Sequence, residues 1–320
     1  MRRLSTAVLA ALAVVYVVWG STYLAIRIAV ETLPPFLMVG SRFLIAGGLL
    51  YAWSIRRGDV VGDRPGPAQW RATAIVGSLL LVGGNGLVVW GEQTVPSGIA
   101  ALLVATLPLW MALFGRLAFG DRLRPVAIAG LVVGFAGVAL LVRAGGGGGR
   151  VDPTGAGGLD PLGTGVILLA PVSWAIGSLW SGRLPLPARP LVTTGMEMLC
   201  AGAVLTLLGG LGGELGRLDL AAVSGRSLAA FAYLVTFGSL LAFSAYVWLL
   251  RNATPSVIST YAYVNPVVAV ALGWAILAEP VTATTLLAGA VIVGSVALIV
   301  APGRAPHPDD EPTEQPVGAA

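Results

Sequence analysis

Two ionisable side chains stand deep inside apolar sequence. Arg42 lies about eight residues into the run Pro34–Ile55, and Glu197 about six residues into the run Leu191–Leu211. A charge buried in hydrocarbon costs several kcal/mol, so such groups face a cavity or a partner. Their chemistry is either a clamp on a polar solute or a buried ion pair that locks two helices. Trp19, Tyr23 and Arg27 recur every four residues and share one helix face, which suits a wall that meets organic solutes or a packing surface. Trp174, Tyr246, Tyr261 and Tyr263 offer the same chemistry, although Tyr261 and Tyr263 cannot both face one direction on a regular helix. Asn85 sits between glycines, and Asn265 precedes Pro266; a buried amide needs hydrogen-bond partners. Pro108 and Pro266 each fall about eleven residues into an apolar run, where a proline removes a backbone hydrogen bond and bends the helix. They are either paired hinges or static bends.

These residues do not assemble into catalytic chemistry. The sole histidine, His307, stands in a polar tail, and Cys200 is the sole cysteine, so no catalytic residues and no metal site are expected. The 19 basic residues are all arginine, which rules out a lysine-containing phosphate loop, and no cofactor is expected. Basic side chains are too sparse along the apolar chain to expect a nucleic-acid partner.

The elements that must position these groups are membrane helices. Of 320 residues, 56% are hydrophobic and only 11% charged, against about 25% charged in soluble domains. Such a chain cannot build a water-facing shell. A span needs about 20 apolar residues. We read spans at Ala7–Ile26, Pro34–Ile55, Arg71–Trp90, Ser97–Phe119, Arg124–Val142, Pro161–Gly182, Leu191–Leu211, Ser227–Leu250, Pro255–Leu277 and Thr282–Ala301. The expected fold is an all-α integral membrane protein of ten transmembrane helices. Membrane lipid is the partner that its apolar exterior requires. The start Met1-Arg2-Arg3 and its apolar run also fit a signal peptide, but no small-residue cleavage site ends the run, so it reads as a first span. Glu92, Asp121 and Glu279 fall at span ends and read as solvated.

Arginine asymmetry sets an orientation. With the N-terminus in the cytoplasm, 13 arginines fall on cytoplasmic segments and 4 on the other side (Arg143, Arg150, Arg217, Arg226). Both termini are therefore expected in the cytoplasm. Gly130-x-x-x-Gly134 and Ala290-x-x-x-Gly294 allow close helix approach and leave a homodimer face open.

The chain divides at its glycine-rich stretch 143–160. Across it, Trp19 and Trp174 are 155 positions apart, while Trp90 and Trp248, Pro108 and Pro266, and Asp121 and Glu279 are each 158 apart. We expect a first five-helix repeat at 1–142, a linker at 143–160, a second repeat at 161–301, and a disordered cytoplasmic tail at 302–320. Five is odd, so the second repeat inserts upside down relative to the first. Inverted repeats of this kind place a substrate site near the midplane between the halves. Arg42 and Glu197, also 155 apart, are repeat-equivalent and approach the axis from opposite faces.

Several segments together resemble a known family: Trp19-Gly20-Ser21-Thr22-Tyr23, Arg42-Phe43-Leu44, Gly84-Asn85-Gly86, Glu92-Gln93, Val95-Pro96-Ser97-Gly98-Ile99-Ala100-Ala101 and Tyr261-Ala262-Tyr263-Val264-Asn265-Pro266. The chain resembles an EamA-type member of the drug/metabolite transporter superfamily, in its bacterial exporter subgroup, from about Leu4 to Val300. The resemblance implies ten helices in two inverted repeats, a central cavity, the bacterial inner membrane, and export of amino acids, related metabolites or toxic organics. The substrate or cavity residues expected on these grounds are Trp19, Tyr23, Arg42, Asn85, Trp174, Glu197, Tyr246, Tyr263 and Asn265, with Pro108 and Pro266 as hinges. The expected partner is a small organic solute. A channel, a membrane-embedded enzyme and a non-transporting scaffold are the competing functions. A channel wants a ring of like side chains around a pore, and an enzyme wants an acid–base cluster where only Glu197 lies deep.

Overall fold

The computed structural model describes residues 5–57, 64–120, 123, 125–143 and 159–300. The expected linker falls almost wholly, and the expected tail wholly, outside the described residues, as does Asp121. Every regular element among the described residues is helical. The helices are α1 (Thr6–Ala29), α2 (Pro35–Arg56), α3 (Pro67–Gly91), α4 (Ser97–Phe119), α5 (Pro125–Arg143), α6 (Pro161–Ser181), α7 (Pro190–Leu211), α8 (Gly225–Asn252), α9 (Tyr261–Leu277) and α10 (Ala283–Val300). The first eight are long and apolar enough to cross a membrane; α9 and α10 are apolar but shorter. Their outer faces carry bare apolar side chains such as Leu117, Val132, Leu211 and Trp274, each more than 60% exposed, which water would not tolerate in such number.

Local chemistry sets the helix ends. Ser5 Oγ accepts from Val8 N at 3.3 Å and opens α1, and Asp160 Oδ2 accepts from Gly163 N at 2.8 Å to open α6. Proline stands at the first position of α2, α3, α5, α6 and α7, where its missing N–H costs nothing.

Glycines set the packing. Gly40 of α2 lies against Gly202 and Thr206 of α7, and Gly47 lies against Gly195 and Met198. Position rises along one helix as it falls along the other, so α2 and α7 run antiparallel. Gly195 is 155 residues after Gly40, and Gly202 is 155 after Gly47, so each glycine meets the counterpart of the other. Similarly, α5 lays Gly130, Gly134 and Gly137 against Ser295, Ile292 and Val291 of α10. Gly130-x-x-x-Gly134 thus serves a contact within the chain. On α10, a Cβ added at Gly294 would meet open space.

Two helices depart from α geometry at matching places. The backbone is π-helical over Ser78–Gly86 in α3 and over Leu234–Leu241 in α8, with starts 156 residues apart. Wider turns of this kind free carbonyls and recur at functional sites. Two breaks also match. The helix of α4 stops at Val104 and resumes at Leu107, where Thr106 Oγ1 donates to Leu103 O at 2.6 Å. A short turn, Pro255–Ile258, precedes α9, and Thr260 Oγ1 donates to Val257 O at 2.5 Å.

One apolar cluster joins α1, α2, α3, α7 and α8 through Met38, Phe43, Leu81, Val89, Met198, Leu205 and Leu234. A second joins α4, α5, α6 and α10 through Leu103, Leu141, Ile167 and Ile292. Side chains from both flank a central cavity.

Candidate functional site: a central cavity with one charge

The cavity has a volume of about 120 Å³ and is lined from α1, α2, α3, α4, α6, α8 and α9. Its walls are mostly apolar and aromatic. Trp19 anchors one side, with ring centroids 5.2 Å from Phe243, 5.1 Å from Tyr246 and 5.4 Å from Tyr261. Edge and tilted contacts of this kind hold rings rigidly at low entropy cost. Trp174 forms another wall over Gly84, where an added Cβ would come within 2.5 Å of the indole. Gly84 is required here because any side chain would displace that ring or fill the space.

Arg42 supplies the only charge among the lining residues. It is 2% exposed. Its Nε donates to Ser239 Oγ at 2.8 Å, and its guanidinium lies 5.1 Å from the Phe43 ring centre. Its Nη1 has no hydrogen-bond partner among the described residues. Gly238 leaves room for this approach, because a Cβ there would sit 3.3 Å from Nη2. Asn265, 8% exposed, also reaches the cavity, and its Oδ1 is unpartnered. Asn85 and Tyr23 complete the polar lining together with Thr22.

The first π-helical segment lines this space through Gly84 and Asn85, the second meets its lining residues Trp19 and Arg42, and both take donors from the opposite half. Trp19 Nε1 donates to Gly238 O at 3.4 Å, and Ser173 Oγ donates to Leu79 O at 2.7 Å. These bonds satisfy carbonyls that the widened turns present to side chains.

Six of the nine expected cavity residues therefore line it: Trp19, Tyr23, Arg42, Asn85, Trp174 and Asn265. Tyr246 stands one layer behind, its ring 5.9 Å from that of Tyr261. Tyr263 is not among the lining residues; Tyr261 takes the inward face, and a residue two further along points elsewhere. Glu197 does not line the cavity either. Its backbone packs on Gly77 of α3, and its side chain neighbours Cys200. Among the described residues no ion pair joins Arg42 and Glu197. Arg42 donates its Nε to Ser239 of α8, whereas Glu197 lays its backbone against Gly77 of α3. Pro108 sits in the first turn after the α4 break, and Pro266 lies inside α9. Neither lines the cavity. Sequence reasoning passed over Pro171, Phe243 and Ser239. Pro171, a proline in the middle of α6, carried a readable signal; Ser239 carried none.

The span ends need a second correction. Glu92, just beyond α3, is fully buried, and neither carboxylate oxygen has a hydrogen-bond partner among the described residues. Arg27 Nη1 donates to the backbone carbonyl of Glu92. Burial above all, and then the Glu279 carboxylate, hold Glu92 well above the ordinary carboxylate range, against the opposing pull of Arg27. Glu279 accepts from Ser97 N at 2.8 Å, Ser97 Oγ at 3.0 Å and Gly98 N at 3.1 Å, so it caps α4. Glu214 does the same for α2, accepting from Phe36 N at 3.2 Å and Leu37 N at 2.8 Å. Glu279 and Glu214 are thus helix caps, and Glu92 is a buried carboxyl rather than a solvated end.

Comparison with known proteins agrees with this picture. The model of the EamA-like transporter family matches residues 5–143 and again 161–301. The chain is 42% identical over 291 residues to the uncharacterised inner membrane transporter YedA of Escherichia coli (strain K12), covering 90% of this chain and 89% of that protein. It is 24% identical over 290 residues to the uncharacterised transporter YvbV of Bacillus subtilis (strain 168), covering 90% of each. A solved structure titled only as a crystal structure of a protein shares the fold, with TM-score 0.60 and 24% identity over 92% of this chain and 96% of the other. A helical chain with many lipid-compatible faces, matched twice by one family model, belongs to the EamA-like transporter family.

Proposed function

We propose that this protein is a secondary carrier of small organic metabolites or drugs in the bacterial inner membrane, working by alternating access and oriented for export. Ten transmembrane helices form two five-helix repeats, 1–142 and 161–301, inserted in opposite senses, with both termini in the cytoplasm. The observation that carries the reading is the central cavity, walled by helices of both halves and lined by aromatic rings and a few polar groups. The reciprocal glycine contacts of α2 and α7 support a pseudo-two-fold axis between the halves. The matching π-helical segments and matching breaks support it as well. Two equivalent halves admit two near-degenerate arrangements, one open to each side. The α4 break beside Pro108, and the Ser259–Thr260 break ahead of Pro266, are where the helices bend between them. Export follows from the resemblance to the exporter subgroup, and the inner membrane from the relative YedA.

Counterflow in proteoliposomes tests this reading. Vesicles are loaded with one unlabelled compound at a time from a panel of amino acids, organic acids, nucleosides and sugars. A carrier gives saturable uptake of the labelled compound that internal substrate accelerates. Flux that never saturates and ignores the internal solute would identify a channel instead.

A further inference from the structure

The cavity holds an uncompensated positive charge. Arg42 is buried, its Nε is occupied by Ser239, and its Nη1 has no partner among the described residues. No aspartate or glutamate is among the lining residues, and Glu197, the acidic counterpart in the other half, is not one of them. The nearby Phe43 ring offers only a weak attraction. An arginine desolvated to this degree is stable when an anion completes its fork, and carboxylates fit that fork in a planar, directional way. The free Asn265 Oδ1 in the same cavity is an acceptor waiting for an N–H or O–H donor. The same cavity is walled by the rings of Trp19, Tyr23, Phe243, Tyr261 and Trp174.

We propose that the solute of this cavity is a small organic carboxylate with an apolar or aromatic body, its carboxylate bound by the free Nη1 of Arg42 and a donor group of the same molecule bound by Asn265. A volume of about 120 Å³ suits a body on the order of ten heavy atoms. An inorganic anion would satisfy Arg42 but leave the aromatic walls unused. The proposal rests on the carrier reading for its biological sense, but it makes an equilibrium claim that stands or falls separately.

The test is binding to the full chain in lipid nanodiscs, read by quenching of tryptophan fluorescence, since Trp19 and Trp174 line the cavity. The probes are a panel of aliphatic, aromatic and amino-substituted carboxylic acids, each paired with its neutral amide and with the amine of the same body. Chloride and inorganic phosphate form two further arms. At least one acid should bind about tenfold or more tightly than its amide, the size expected for a charge-assisted hydrogen bond in a buried site. Arg42→Gln should abolish that preference, and Arg42→Lys should retain part of it. Should Arg42→Gln fail to fold, Ser239→Ala, which releases Nε and unfixes the guanidinium, should still shrink the preference severalfold. Amides or amines that bind as well as the acids throughout the panel would overturn the proposal. So would a preference that survives Arg42→Gln, or inorganic anions that displace every acid at equal concentration. Acid binding without counterflow would refute the carrier reading and leave this one standing; counterflow of amides and acids alike would do the reverse.

Discussion

Adding one methyl group at two adjacent glycines should give very different outcomes. A Cβ at Gly47 would lie 2.7 Å from Met198 Cβ, 2.9 Å from Gly195 O and 2.9 Å from Leu199 N. Ordinary carbon contacts lie at about 3.5–4.0 Å, so α2 and α7 must separate by roughly 1 Å or bend. Two of the three obstructing atoms are backbone and cannot rotate aside. At Gly48 the nearest obstruction is Leu199 Cδ2 at 4.0 Å, a normal contact. Both substitutions gain the same helix propensity, about 1 kcal/mol for alanine over glycine. That term cancels between them, and the difference isolates the clash, about 2–3 kcal/mol at the upper end of overpacking costs. Gly48→Ala should therefore be as stable as the parent or slightly more so, and Gly47→Ala clearly less. Denaturation of the purified protein in mixed micelles, followed by far-ultraviolet circular dichroism, reads the difference directly. Equal midpoints for the two variants would refute the close α2–α7 contact. The equivalent position in the second half makes the same demand: a Cβ at Gly202 would sit 2.8 Å from Leu44 N and 2.9 Å from Gly40 O, so Gly202→Ala should resemble Gly47→Ala.

Three further outcomes follow from the site and its surroundings. Glu92 is held above its unfolded value, so the folded state favours its neutral form; that stabilisation is present at acid pH and lost as pH rises through the folded value. The thermal midpoint of the parent should fall as pH rises above the ordinary carboxylate range, and Glu92→Gln should flatten the fall; a parallel profile would contradict the burial of Glu92. Glu279→Ala removes three hydrogen bonds at the start of α4 and should cost about 2 kcal/mol in the same denaturation assay, less any relief it gives Glu92. Combining Arg42→Glu with Glu197→Arg should rescue nothing, because Arg42 is held by Ser239 and makes no ion pair with Glu197; counterflow in the double variant no better than in Arg42→Glu alone is the expected result, and full recovery would restore the ion pair.

The helices were legible because hydrocarbon demands about 20 apolar residues per span, and turn residues punctuate them. Their ends fall within a few residues of the expected positions for most helices, for example Pro190–Leu211 against Leu191–Leu211. The α9 region departs most. Its expected span from Pro255 is a short turn and then a helix from Tyr261. Proline spacing located that disturbance but not its form, which depends on the Thr260 hydroxyl bonding back to Val257. The π-helical segments could not be read at all, since widened turns are decided by what packs beside them. Within the cavity, a four-residue period placed Trp19 and Tyr23 on one face, and an intramembrane charge singled out Arg42. Glu197 showed the limit of the same logic: insertion depth follows from position in a span, whereas direction follows from the rotation that packing imposes. Glu92 failed for a related reason, because a span end counts as solvated only until other segments, here those of Arg27 and Glu279, pack beside it.

The central claim is that a solute crosses through the cavity between the halves, and counterflow in the parent and in Gly84→Leu side by side tests it most directly. A side chain at position 84 runs into the Trp174 indole, so either the leucine or the displaced ring fills the cavity. Saturable, trans-stimulated uptake is expected in the parent and a loss of about tenfold or more in Gly84→Leu protein that circular dichroism shows to be folded. Uptake in folded Gly84→Leu equal to that of the parent would place the solute path elsewhere and contradict the account.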